Sequence, residues 1–261
     1  MQLVLGLAVV AIATAPWFWT GPEDSSILPH AVTESMDVMV IFATASLLGA
    51  WVARVLGRKS GNFILVTAAG MVLGFAALAL QSALAFSPSA FEGKLEAGTA
   101  GHLWVLLGAF IISQGCYFLM ANLKLTVVAL LVACLGLGAT YWLQVVETLA
   151  GVPAVIEFKL WFIGPVVLGL VLGLVGFARR AYLGFWILSL GLQWIMPAVY
   201  SVVAGLIRSQ GQSLRTLGSG FADALSGSVL HGSWHIPLLI TVVVGLVANV
   251  IALNRGGRAL S

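Results

Sequence analysis

Histidine is the side chain best placed to do chemistry near neutral pH, and the chain has four: His30, His102, His231 and His235. His231 and His235 stand four apart. On a helix such a pair projects from one face, with Cβ atoms about 5–6 Å apart. Neutral imidazoles held at that spacing suit zinc, copper, nickel or haem iron, with carboxylates as oxygen ligands or as partners that orient the rings. Glu34 and Asp37 follow His30 by four and seven residues, so a helix there places them on its face, and Glu147 is a third candidate acid. The first expectation is therefore a site for a transition metal or haem, with redox or metal-handling work to do. Its ligands are His231, His235, His102 and His30, and Glu34, Asp37 and Glu147 support them.

The elements that must position these residues are membrane helices. With 61% hydrophobic and 8% charged residues, the chain has too little polar surface to cover a water-soluble core. Its 261 residues hold about eight spans of roughly 20 residues joined by short connections. That predicts one integral membrane domain over 1–261, an all-α polytopic bundle. The spans run from Gln2 to about Trp19, Met36 to Gly57, Asn62 to about Phe86, and His102 to about Asn122. The others run from Leu123 to about Leu149, about Val155 to Phe177, Ala181 to Leu206, and Pro237 to about Leu253. A bend is expected at His235-Ile236-Pro237, because proline favours the first position of a helix and pushes the residue before it toward extended backbone. Cys116 and Cys134 fall in apolar runs and read as small buried hydrophobes.

Charge orients the bundle. Arg54, Arg58, Lys59, Lys124, Arg179, Arg180, Arg255 and Arg258 all fall on one side, which the positive-inside rule makes cytoplasmic. Both termini then lie inside, in a membrane of bacterial cytoplasmic (inner) type. All nine acids and all four histidines fall on the outer side, making that face a layer of carboxylates and imidazoles. The net charge of +3 is spread over several connections, so nucleic acid is not an expected partner. Lipids are, and a partner subunit or a second copy of the chain is compatible with the sequence.

Transport is the rival class. Carriers place strongly polar groups near the bilayer midplane, often beside broken helices. The residues here that fit are Gln114 in the fourth span and Gln193 and Tyr200 in the seventh, with Pro197 between the latter two. No charge sits deep, which points to an uncharged solute or to a permease subunit energised by a partner. Soluble-enzyme templates are absent: there is no phosphate-binding glycine loop, no Cys-x2-Cys and no dinucleotide fingerprint. Catalytic residues are therefore not assigned.

One local likeness bears on haem. His102-Leu103-Trp104-Val105 resembles the start of the metal-ligating helix in nitric-oxide-reductase-type members of the haem-copper oxidase superfamily, and His30 entering a span from outside is similar to their haem-ligating second helix. The chain is too short for that family's twelve-helix subunit and lacks its adjacent histidine pair and its His-x-His motif. What the likeness implies is limited to haem being geometrically possible in the outer half.

Overall fold

The computed structural model describes residues 1–20, 28–29, 31, 34–56, 61–87, 97–150, 162–176, 180–208, 222, 226 and 235–258. Among the described residues there are eight helices and no strand: α1 (Gln2–Thr20), α2 (Ser35–Leu56), α3 (Gly61–Phe86), α4 (Ala97–Asn122), α5 (Leu125–Ala150), α6 (Ile163–Val175), α7 (Arg180–Arg208) and α8 (His235–Arg258). Six are long and apolar enough to cross a membrane, while α1 and α6 are shorter apolar helices. In hydrocarbon no water satisfies backbone N–H and C=O groups, so a spanning chain must pair them internally. The chain is an all-helical, multi-pass membrane bundle, as its composition predicts.

Two differences from the sequence reading bear on the histidines. Helix α4 begins at Ala97, five residues before His102, so His102 lies inside the helix instead of opening it. Helix α8 begins at His235, and Pro237 sits in its first turn in place of a bend. The first turn tolerates proline because its N–H groups have no intrahelical acceptor to lose. Pro165 occupies the same third position in α6.

Helices α2 and α5 form the centre. Helix α2 packs on α1, α3, α4, α5 and α7, and α5 packs on α1, α2, α4, α6 and α7. The most extensive contacts are α6 with α8 and α1 with α3. Both pairs run parallel, and small residues let their backbones meet. A Cβ built on Gly70 would lie 2.2 Å from the Leu3 carbonyl, and one on Gly173 would lie 2.4 Å from the Ala248 Cβ. Lipid offers helices no hydrophobic drive to associate, so close van der Waals packing between small residues takes that role.

Aromatic and polar contacts fix the remaining pairs. Phe42 of α2 stacks on Phe75 of α3 at 4.5 Å, and Phe110 of α4 meets Phe75 edge-on at 5.9 Å. The Ser46 and Ser113 hydroxyls lie 2.8 Å apart and share the Phe42 carbonyl, joining α2 to α4. Tyr117 donates to the Ile64 carbonyl at 2.8 Å, and Trp142 donates to the Ala13 carbonyl at 2.8 Å. Outside this core the helices present a belt of exposed apolar side chains, including Trp104, Ile111 and Ile112 on α4 and Leu239, Val243 and Val250 on α8. Such a belt would aggregate in water and suits hydrocarbon.

Candidate functional site

His102 is fully buried, and both its ring nitrogens are in use. Nδ1 accepts the backbone N–H of Ala31 at 2.8 Å, and Nε2 lies 2.8 Å from the Ser82 hydroxyl. An acceptor at Nδ1 puts the ring proton on Nε2, so Nε2–H donates to Ser82 in a neutral imidazole. Phe86 closes over the ring edge-on at 5.1 Å. The ring thus ties the segment ahead of α2 to α3 and α4, and in this arrangement no lone pair is left to face a metal.

Those of the other predicted ligands whose side chains are described, His235, Glu34 and Asp37, do not gather around it. His235 is exposed as the first residue of α8, and His30 and His231 lie outside the described residues. Glu34 is exposed and Asp37 half-buried at the start of α2, where the Asp37 N–H donates to the Glu34 carbonyl at 3.0 Å. Glu147 belongs to the last turn of α5, with its side chain outside the described residues. Among the described residues no three His, Cys, Asp or Glu side chains could together hold a metal ion.

The three transport candidates also separate. Gln114 sits on α4 between Phe110 and Tyr117, on the face turned to α3. Its amide oxygen and nitrogen are both buried without a partner among the described residues. Tyr200 is buried against a cleft of about 400 Å³ between α2, α4, α5 and α7, whose other polar groups include Ser46 and Ser113. Gln193 lies elsewhere, on a smaller and more polar cavity.

That cavity is enclosed by α5, α6, α7 and α8 and has a volume of about 40 Å³. Thr140, Tyr141, Gln144, Gln193 and Trp194 supply its polar lining, with Gly164, Pro165 and Pro237 at its wall. A water needs about 10–15 Å³ measured this way, so the space suits about three waters or a solute of a few heavy atoms. Among the described residues no ionisable acid or base other than the Tyr141 phenol contributes to the lining.

Helix interruptions make this spot polar. The Thr241 hydroxyl lies 3.0 Å from the Gln193 amide oxygen, 3.1 Å from the Pro165 carbonyl and 3.0 Å from the Pro237 carbonyl. One hydroxyl proton serves only one of three acceptors at a time. Turning the Gln193 amide by half a rotation resolves the conflict: its NH₂ then donates to Thr241, which donates to a carbonyl. Pro197 also withholds the N–H that the Gln193 carbonyl would meet one turn later. On the opposite wall Gly164 N–H donates to the Thr140 hydroxyl at 3.3 Å, and Thr140 donates to the Gly136 carbonyl at 3.1 Å. A Cβ on Gly164 would lie 2.6 Å from that carbonyl, so α5 and α6 touch backbone to backbone here.

Gln193 is the residue of the sequence reading that this site retains. Thr241 and Thr140 escaped it. Thr241 carried a signal, since it is the one hydroxyl in Leu238-Leu239-Ile240-Thr241-Val242-Val243-Val244 and follows Pro237 by one helical turn. Compared with family models, with curated proteins and with solved structures, the chain matches none.

Proposed function

We propose that the protein handles a small, uncharged, hydrogen-bonding solute, as a carrier or as the membrane subunit of a permease, and that the solute occupies the cavity between α5, α6, α7 and α8. The observation that carries this reading is the convergence of Gln193 and Thr140 on one space beside the proline-bearing starts of α6 and α8, with the Thr241 hydroxyl bonded to Gln193 behind it at 3.0 Å. Amide, hydroxyl and carbonyl groups supply both donors and acceptors, and the lack of a charged side chain among the described lining residues favours a neutral ligand over an ion. Thr241 follows His235, the start of α8, by six residues, about 9 Å along the helix. This depth matches a binding site reached from one face, and α7 carries Pro197 within it one turn from Gln193.

The sidedness belongs to the same proposal. Lys124 and Arg54 lie at one end of the bundle, with Glu34 and Asp37 at the other. The positive-inside rule then puts the start of α8 and the mouth of the cavity on the outer face of a bacterial-type cytoplasmic membrane.

Water access tests it. In a chain with Cys116 and Cys134 replaced by alanine, Thr140→Cys is expected to react with a small water-soluble methanethiosulfonate many times faster than Ala129→Cys, which is equally buried in α5 but outside the cavity. Equal inertness of the two cysteines would mean the cavity never meets solvent, and the solute reading would fall.

A further inference from the structure

A second, larger cavity lies between α1, α2, α5 and α6 and has chemistry opposite to the solute cavity. Its volume is about 620 Å³ and its lining is almost wholly apolar, with Trp51, Val128, Ala139 and Val171 among its walls. Ligand pockets for drug-sized molecules fall in this range. Along α2 it extends from Thr44 to Arg54, about 15 Å by helical rise, or one leaflet of a hydrocarbon core about 30 Å thick. Trp142 stands in its wall, held by its hydrogen bond to Ala13.

Arg54 is the only charged residue among the described residues that line it. The guanidinium is half-buried and fixed in orientation, because Nε donates to the Met120 carbonyl and one Nη donates to the Leu123 carbonyl at the end of α4. Its remaining N–H groups meet no acceptor among the described residues. Lys124 is exposed in the adjoining turn. The carboxylates whose side chains are described, Glu34 and Asp37, sit at the far end of α2, with Asp37 about 25 Å away by helical rise. An apolar groove one leaflet deep therefore ends in positive charge with neither described carboxylate near it, and with the donor fork that arginine offers to phosphate. Trp51, largely exposed one turn from Arg54, adds a ring at headgroup level.

We propose that this groove holds one anionic phospholipid, its acyl chain along α2 and α5 and its phosphate on Arg54. Basic pockets between membrane helices recognise anionic headgroups by this combination of charge and apolar wall. The groove shares Gly136 and Gly164 with the solute cavity, yet the lipid site stands whether or not that cavity takes a solute.

Native mass spectrometry of the delipidated full chain, titrated with phosphatidylglycerol or with phosphatidylcholine of the same acyl chains, tests the proposal. One phosphatidylglycerol is expected to bind per chain about fivefold more tightly than phosphatidylcholine, with Arg54→Gln removing that preference. Ala139→Trp, which fills the groove and leaves the Arg54 hydrogen bonds intact, is expected to abolish binding of both lipids. This second variant keeps the test decisive if Arg54→Gln loosens the end of α4. Equal binding of the two lipids by the unmodified chain, or undiminished phosphatidylglycerol binding by Ala139→Trp, overturns the proposal.

Discussion

His102→Leu is expected to destabilise the protein by about 2–4 kcal/mol and to leave any bound metal unchanged. The ring's two hydrogen bonds go to a backbone N–H and a hydroxyl in a dry interior. Leucine fills much of the same volume but satisfies neither group. Ala31 is fully buried and its N–H has no way to turn toward water; a donor orphaned in this way costs about 1–3 kcal/mol. Ser82 suffers less, since a helical serine can rotate to the carbonyl four residues back. The double variant His102→Leu, Ser82→Ala is therefore expected to cost little beyond His102→Leu alone, because the Ser82 hydroxyl has by then lost its imidazole partner. Melting in mild detergent with parallel elemental analysis reads both quantities. An unchanged melting temperature together with lost metal would return His102 to the role of ligand that its spacing suggested.

Gly70→Val is expected to be comparably severe, at about 3 kcal/mol or more, by a different mechanism. The added Cβ would stand 2.2 Å from the Leu3 carbonyl and 3.0 Å from the Gly6 Cα. Both obstacles are backbone, so no rotamer change relieves them and α1 must move off α3 along the length of their contact. Gly115→Ala is the matched control, because a Cβ there meets nothing within 4 Å. It is expected to melt at or slightly above the unmodified protein, since alanine is the better helix former. Equal melting temperatures for the Gly70 and Gly115 variants would show that the α1–α3 crossing is looser than drawn.

The two variants also mark what the sequence could and could not reveal. The helices and their order were legible, because apolar runs of spanning length separated by polar connections leave few other folds in a bilayer. Gly70 was legible as a small residue, though not its match with Leu3 and Gly6, which depends on helix rotation. His102 was ambiguous for a related reason. A histidine ahead of an apolar run looks the same whether its partner is a metal or an N–H 71 residues away, and only packing brings Ala31 and Ser82 to it. Gln193 was visible because an amide inside a span is unusual. Its partner Thr241 was not, since threonine is ordinary in membrane helices and the pair is 48 residues apart.

Gln114 and Gln193 divide the transport expectation in two. Both are glutamines inside spans, but only Gln193 faces a cavity that could hold a solute. Gln114 has two buried amide atoms without partners among the described residues, so removing that amide should relieve a desolvation penalty and leave passage untouched.

Permeability of proteoliposomes to small neutral solutes, followed by stopped-flow light scattering with urea, acetamide and glycerol, tests the central claim most directly. The unmodified protein is expected to pass at least one of these faster than lipid alone, Gln193→Leu to abolish the increment, and Gln114→Leu to retain it. No increment for any of the three, or an increment that survives Gln193→Leu, would contradict the assignment of the α5–α8 cavity as the solute site.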